Sequence, residues 1–345
     1  MMATACGMDC ERCPASRRCG SACNYCTVAV HNVAPGACAG CGYCGDNPLL
    51  NMTARQSVMD YLGGLDLSWS RPVAHPALPD IPSHLPVLVQ AYADPVEPGW
   101  VAIHGGRLLG TTGRAVTTKH RKGLHSAYRL GPKTRIALEF YVEDRVLEGL
   151  WAHRREIIED LKGLDLDLVI TPNFSVWYDH PRFEQLVQQR RAFILYHELL
   201  EAGLPAIPDV GFSLFEPDGR LWAEWVNAAR GISTVSLFCG GRKVHADRRA
   251  HRESVEDIAL FHQAVHEDVI FLIGGVHGED RIADYRRAAP GRRLSFCNGM
   301  AYSLAQRRRL LASGYPRVAR SARECFLLNC AENDRAYAEL LEEAA

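Results

Sequence analysis

The chain has 345 residues, 47% of them hydrophobic and 23% charged, which excludes wholesale disorder. Its 39 basic and 40 acidic side chains leave a formal charge of -1, which excludes a histone-like or uniformly basic binder but not a local basic patch. The longest apolar run, Val269 to Ile273, is far too short to span a bilayer, and Met1 to Arg12 lacks the apolar stretch of a secretory signal, so a cytoplasmic protein is expected.

In chain order, cysteine comes first. Thirteen cysteines are present and nine lie before residue 45: Cys6, Cys10, Cys13, Cys19, Cys23, Cys26, Cys38, Cys41 and Cys44. Without a secretion signal a disulfide framework is not expected. Thiols this crowded would repel one another as thiolates, so a bound metal or iron–sulfur cluster is expected across residues 1–50. Cys6-x3-Cys10-x2-Cys13 repeats as Cys19-x3-Cys23-x2-Cys26, and Cys38-x2-Cys41-x2-Cys44 has ferredoxin-like spacing. A triplet supplies three thiolates to a four-iron four-sulfur cluster and leaves one iron free. The alternative is a zinc knuckle pair that uses eight of the nine thiols.

Residues Asn47 to Asp66 read as a short helix, capped by Thr53, that ends at Gly63-Gly64. Pro72, Pro76, Pro79, Pro82 and Pro86 mark a linker or extended wrap, so 51–86 is taken as helix plus linker. Strand-like runs follow at Val87–Tyr92, Val101–His104, Arg135–Tyr141, Leu166–Ile170, Pro205–Ile207, Ser233–Phe238, Val269–Ile273 and Leu294–Phe296. Helical patterns occupy Leu147–Leu161, Arg182–Glu201, Leu221–Ala229, Ser254–His266, Arg281–Ala288 and Tyr302–Leu311. About eight strands in alternation with helices predict an α/β fold, a TIM-type barrel, over 87–312, with a helical tail over 313–345.

Several motifs carry resemblances. Cys19-Gly-Ser-Ala-Cys23-Asn-Tyr25-Cys26 resembles the C-x3-C-x-aromatic-C signature of the radical S-adenosylmethionine enzymes. The resemblance implies that Cys19, Cys23 and Cys26 hold a four-iron four-sulfur cluster and that Tyr25 takes the aromatic position. It implies S-adenosylmethionine as cofactor and an electron donor such as flavodoxin or ferredoxin as partner. The stretches LEFYVEDRVLEGLW, LVITPNFSVWYDHP, QQRRAF and GLPAIPDVGF resemble a phage and prophage family known as domain of unknown function 4417. Relative to that pattern Asn173 replaces the usual Asp and Asp209 the usual Asn. This likeness implies a phage context, hence a host cytoplasm, and a barrel-like fold, but no reaction. LIGGVHGED, Leu272 to Asp280, is more weakly similar to the base-binding turn of the tRNA- and DNA-guanine transglycosylases.

In a barrel the functional residues follow the carboxyl ends of the strands. Those ends supply Glu143, Asp144, Asn173, Tyr178, Asp179, Asp209, Cys239, Gly274, Gly275, His277, Glu279, Cys297 and Asn298. His277, Glu279, Cys297 and Asp144 are the catalytic candidates, and Gly274, Gly275, Asn173 and Tyr25 the cofactor-binding ones. The plainer reading of each also stands: glycines end strands everywhere, a loop histidine is often solvated, and an isolated cysteine is often a buried hydrophobe. Pro98 to Leu138 holds no acid and eight cations, Arg107, Arg114, Lys119, Arg121, Lys122, Arg129, Lys133 and Arg135. The Arg107–Arg135 stretch is therefore the expected contact for nucleic acid or a nucleotide.

Together these features predict a radical S-adenosylmethionine-type enzyme that rearranges or modifies a nucleobase or a modified base in phage DNA. A transglycosylase-like barrel with a zinc module that binds nucleic acid, and a non-catalytic nucleic-acid-binding phage protein, are the alternatives.

Overall fold

The computed structural model describes residues 58–70, 73, 75–176, 182–211, 216–229, 231–240, 245–312 and 314–342, with 182–184, 216–218 and 342 described through the backbone alone. Eight strands form one all-parallel sheet: β1 (His84–Leu88), β2 (Trp100–His104), β3 (Arg135–Glu139), β4 (Leu168–Ile170), β5 (Ala206–Ile207), β6 (Thr234–Phe238), β7 (Ile270–Gly274) and β8 (Leu294–Asn298). Their order is β5-β4-β3-β2-β1-β8-β7-β6. The two end strands meet at an isolated parallel bridge between Asp209 and Ser236. There Ser236 N–H donates to the Pro208 carbonyl and Val210 N–H to the Ser236 carbonyl, both at 2.8 Å. The sheet thus curls into the TIM-type barrel that the strand–helix alternation predicts.

The main helices are α1 (Gly105–Leu108), α2 (Leu124–Tyr128), α3 (Asp144–Ala152), α4 (Arg154–Lys162), α5 (Arg182–Glu201), α6 (Glu216–Ala228), α7 (Arg248–Ala264), α8 (Glu279–Ala288), α9 (Met300–Gln306) and α10 (Ala322–Glu342), with further helical turns over residues 58–62 and His120–Lys122. None of the described helices is long and apolar enough to cross a membrane. The expected single helix over Leu147–Leu161 is instead two, α3 and α4. The chain bends at His153 (φ -117°, ψ 22°), and Arg154 then lies over the Trp151 ring, with its Cζ 4.2 Å from the centroid, and donates to Glu198 over 2.8 Å. The first strand begins three residues earlier than expected because Pro86 sits inside it. Through Pro86 the strand pairs with β8, and from Val87 onward with β2.

Within the proline-rich stretch, residues 75–82 carry neither helix nor strand, and Pro86 lies in β1. Ile81, only 2% exposed, joins the cluster of Leu85, Val87, Ala102, Ala137, Leu168, Ile170, Ile207, Leu272 and Cys297. These residues alternate along their strands, as one face of a pleated strand requires, and they fill the barrel interior. The opposite rows, such as Val101, Ile103, Ile136 and Leu138, pack outward against the helices in a second cluster.

Candidate acid–base site at the barrel rim

The inward rows change character along the strands. On β2 the row is Trp100, Ala102, His104, and on β3 it is Arg135, Ala137, Glu139, then Tyr141. On β5 it runs from Ile207 to Asp209, on β6 through Thr234, Ser236 and Phe238, and on β8 from Ser295 to Cys297. Apolar side chains fill the middle, and titratable groups gather at the carboxyl ends. A buried carboxyl is costly unless hydrogen-bonded, so two of them in one rim call for an account.

Glu139 is 2% exposed. Its Oε1 meets His104 Nδ1 at 2.5 Å, and its Oε2 accepts the Tyr141 backbone N–H at 2.6 Å. A carboxylate bound to Nδ1 fixes the ring so that Nε2 is the free nitrogen. Burial disfavours protonation of His104, but the hydrogen bond and charge of Glu139 outweigh it and hold the imidazole above its ordinary value. The His104 side chain keeps 28% of its surface exposed, so it is within reach of solvent.

Asp209 is also 2% exposed. It accepts from Asn173 Nδ2 at 2.6 Å and from Ser236 Oγ at 3.0 Å. Burial pushes its carboxyl up to about 7, and the two hydrogen bonds restrain that rise without cancelling it. Ser236 Oγ is also hydrogen-bonded to the Tyr141 phenol. The Tyr141 ring stacks on Phe238 at 4.3 Å, and burial pushes its phenol well above the usual range. Tyr141 therefore joins the two carboxyls: its backbone N–H binds Glu139, and its hydroxyl binds the serine that binds Asp209.

The sequence-derived candidates distribute unevenly. Asn173 and Asp209 fall within this network. Cys297 is 1% exposed inside the barrel, and burial pushes its thiol well above the ordinary value, so the sulfur is a neutral thiol. Gly274 lies against Tyr141: a Cβ there would come within 2.5 Å of the phenol ring. Gly275 has φ +78°, and its own Cβ would come within 2.6 Å of the Gly240 Cα. His277 stacks on His245 with ring centroids 3.8 Å apart. Burial, then His245 and Arg281, lower the His277 imidazole to about 4, so it is neutral at physiological pH. Glu279 is exposed in the first turn of α8. Asp144 is exposed at the start of α3, where it accepts from Ser175 Oγ at 2.6 Å. Tyr25, Tyr178, Asp179 and the nine cysteines Cys6, Cys10, Cys13, Cys19, Cys23, Cys26, Cys38, Cys41 and Cys44 lie outside the described residues. Among the described residues, no group of three or more His, Cys, Asp or Glu side chains is arranged to hold a metal ion.

Glu139, Tyr141 and Ser236 were not among the candidates. Their signal is parity: each shares the inward row of its strand with apolar residues, and the strand-end rule passes over positions inside a run such as IALEFYV. Of the cations, Arg292 is a structural group. It is 3% exposed, and its guanidinium donates to the carbonyls of His262, Val265, His266, Glu267 and Val269.

Compared with protein-family models and with curated proteins, the chain matches none.

Proposed function

We propose that the chain is a barrel enzyme that moves protons at its carboxyl-end rim, with a nucleobase or nucleotide as substrate. One observation carries this reading: two buried carboxyls, one on an imidazole and one on a carboxamide and a hydroxyl, joined through Tyr141. Burial holds Asp209 near neutrality, whereas Glu139 is hydrogen-bonded to His104, whose imidazole is held above its ordinary value. Pairs of titratable groups driven apart by their surroundings are the physical basis of acid–base catalysis. In this reading His104 donates or accepts at its free Nε2, and Glu139 orients it. Asp209 exchanges the second proton, held in position by Asn173 and Ser236. A base edge, with its alternating donors and acceptors, suits a rim that offers carboxyl, imidazole, carboxamide and hydroxyl groups together.

The cysteine spacing supports a second component. Cys19, Cys23 and Cys26 would hold a four-iron four-sulfur cluster, which when bound supplies reductive cleavage of S-adenosylmethionine. The rim residues would then manage the protons of the substrate being rearranged. Zinc in the same thiols would favour the transglycosylase-like alternative. Binding of nucleic acid without turnover would favour the non-catalytic one.

The test is anaerobic incubation of the full chain with dithionite, S-adenosylmethionine and a panel of nucleosides and nucleotides, followed by mass spectrometry. The wild type should be brown, form 5′-deoxyadenosine and convert one member of the panel. Cys23→Ser should lose both activities. Asp209→Asn should still form 5′-deoxyadenosine but convert substrate at least about a hundredfold more slowly. Unchanged conversion by Asp209→Asn would refute the acid–base assignment, and colourless protein with stoichiometric zinc would refute the iron component.

A further inference from the structure

The acid-free segment is sorted by the fold. Arg121 is paired with Asp160 at 2.7 Å, and Arg135 lies over the Trp100 ring, its Cζ 5.6 Å from the centroid. Lys119, Lys122 and Arg129 do something different. All three line one cavity of about 570 Å³, together with Thr118, Ser126 and the wall residue Ala93. No carboxylate lines it, and none of the three cations has an ion-pair partner among the described residues. Three like charges around one concavity repel each other, an arrangement that a counter-anion relieves.

The walls are also fixed in advance. Arg129 is a non-glycine residue in the left-handed region, φ 54°, and its guanidinium is hydrogen-bonded to the carbonyl of Ala93, another lining residue. The 3-10 turn His120–Lys122 is held by a 2.5 Å contact between Thr117 Oγ1 and His120 Nδ1, and His120 stacks on Tyr128 at 5.3 Å. The Arg121–Asp160 pair ties the same turn to α4. Strained backbone and rigid anchors around a binding surface reduce the ordering cost of a ligand.

We propose that this cavity seats phosphate, either that of a free nucleotide or that of a nucleic-acid backbone. Two lysines supply point charges, Arg129 a planar donor, and Thr118 and Ser126 neutral hydroxyls, which is the donor set that phosphate oxygens take. The volume lies in the range of small-ligand sites. The site stands apart from the rim chemistry and does not depend on it.

Titration calorimetry with pyrophosphate and with a mononucleotide, and fluorescence anisotropy with a short labelled single-stranded DNA, test the proposal on the full chain. The double variant Lys119→Ala/Lys122→Ala should bind at least about tenfold more weakly to whichever probe the wild type binds. For the oligonucleotide, the salt dependence should fall by about 0.7 in log–log slope for each phosphate contact removed. Both lysines are exposed, so the melting temperature should not move. Arg249→Ala, an exposed cation on α7, should bind like the wild type. Competition by pyrophosphate and mononucleotide against DNA identifies a free phosphate ligand. DNA binding that depends on the lysines without such competition identifies the polymer backbone. Binding of no probe by the wild type, or equal affinities in the double variant, overturns the proposal. Asp209→Asn should leave pyrophosphate binding unchanged, because pyrophosphate carries no base for the rim, which separates failure here from failure there.

Discussion

Asn173 Nδ2 donates to Asp209 Oδ1 across 2.6 Å, joining the loop after β4 to the residue where β5 meets β6. The same Asp209 accepts from Ser236, its bridge partner on β6. The position that closes the barrel is therefore also the position that buries an acid. Closure excludes water from the carboxyl, and exclusion of water raises its proton affinity.

The first prediction is for Asp209→Asn. An aspartate in the unfolded chain ionises near pH 4, whereas burial pushes Asp209 up to about 7 in the folded chain. Between those values the folded chain keeps a proton that the unfolded chain has released, so stability falls as pH rises through the window. The loss is complete above about pH 7 and absent below about pH 4. Asparagine removes the ionisation and keeps a carbonyl for Asn173. The variant should be more stable than the wild type by on the order of 2–4 kcal/mol near pH 8 and about equal near pH 4. Urea titrations at the two pH values check this, and equal stabilities near pH 8 would contradict it.

That pair also shows how much was legible in the sequence. Asn173 and Asp209, the two substituted positions noted in the sequence, touch. Their contact joins one carboxamide to one carboxyl, which no reading of single positions reveals. The strands and α5 were legible because apolar periodicity survives in short runs, and Arg182–Glu201 is matched end to end. Glu139 was hidden because it is flanked by Leu138 and Phe140, so the run reads as uniformly apolar unless its two faces are separated. Arg292 carries no signal of its role in the sequence because the carbonyls it binds, from His262 to Val269, converge on it only once the chain turns after α7.

Gly274 gives a packing prediction with consequences at the rim. A methyl group added there would meet Tyr141 Cε2 and Cζ at 2.5 Å. The ring is held by Phe238 on its face and Ser236 at its hydroxyl, so it has little freedom to move. Gly274→Ala should cost about 1–3 kcal/mol and break the Tyr141–Ser236 bond. In a Tyr141→Ala background the same substitution should cost almost nothing. A double-mutant cycle by thermal denaturation measures the difference, and additive effects would show that the two residues do not collide.

Arg292 gives a stability prediction without a functional one. Its guanidinium gathers five carbonyls around the carboxyl end of α7, its Nε is hydrogen-bonded to His262 Nδ1 at 2.8 Å, and it lies over Phe271 with its Cζ 4.4 Å from the ring centroid. A cation there offsets the negative end of the helix dipole. Arg292→Ala should destabilise the fold by at least about 3 kcal/mol, because buried carbonyls lose their donor. Lysine should recover only part of this, since one ammonium cannot span the fan of acceptors. Denaturant midpoints of the two variants decide it; a lysine variant as stable as the wild type would mean that charge alone suffices.

The last prediction concerns His104 and Glu139. Their 2.5 Å contact holds the imidazole above its ordinary value of 6.5. The charged pair thus stabilises the fold fully below about pH 6.5 and loses that contribution as pH rises through the raised folded value. Glu139→Gln removes the charge but leaves a carbonyl for Nδ1, so the ring should titrate at lower pH than in the wild type. The variant should lose on the order of 1–2 kcal/mol below pH 6.5 and less above it. Proton NMR of the His104 ring follows the titration directly. If His104 is the rim acid, the basic limb of the turnover profile should shift with the ring, while the limb set by Asp209 near pH 7 stays in place. A ring that titrates identically in both proteins would mean that the carboxylate neither charges nor orients it, and His104 would then have no claim to the proton.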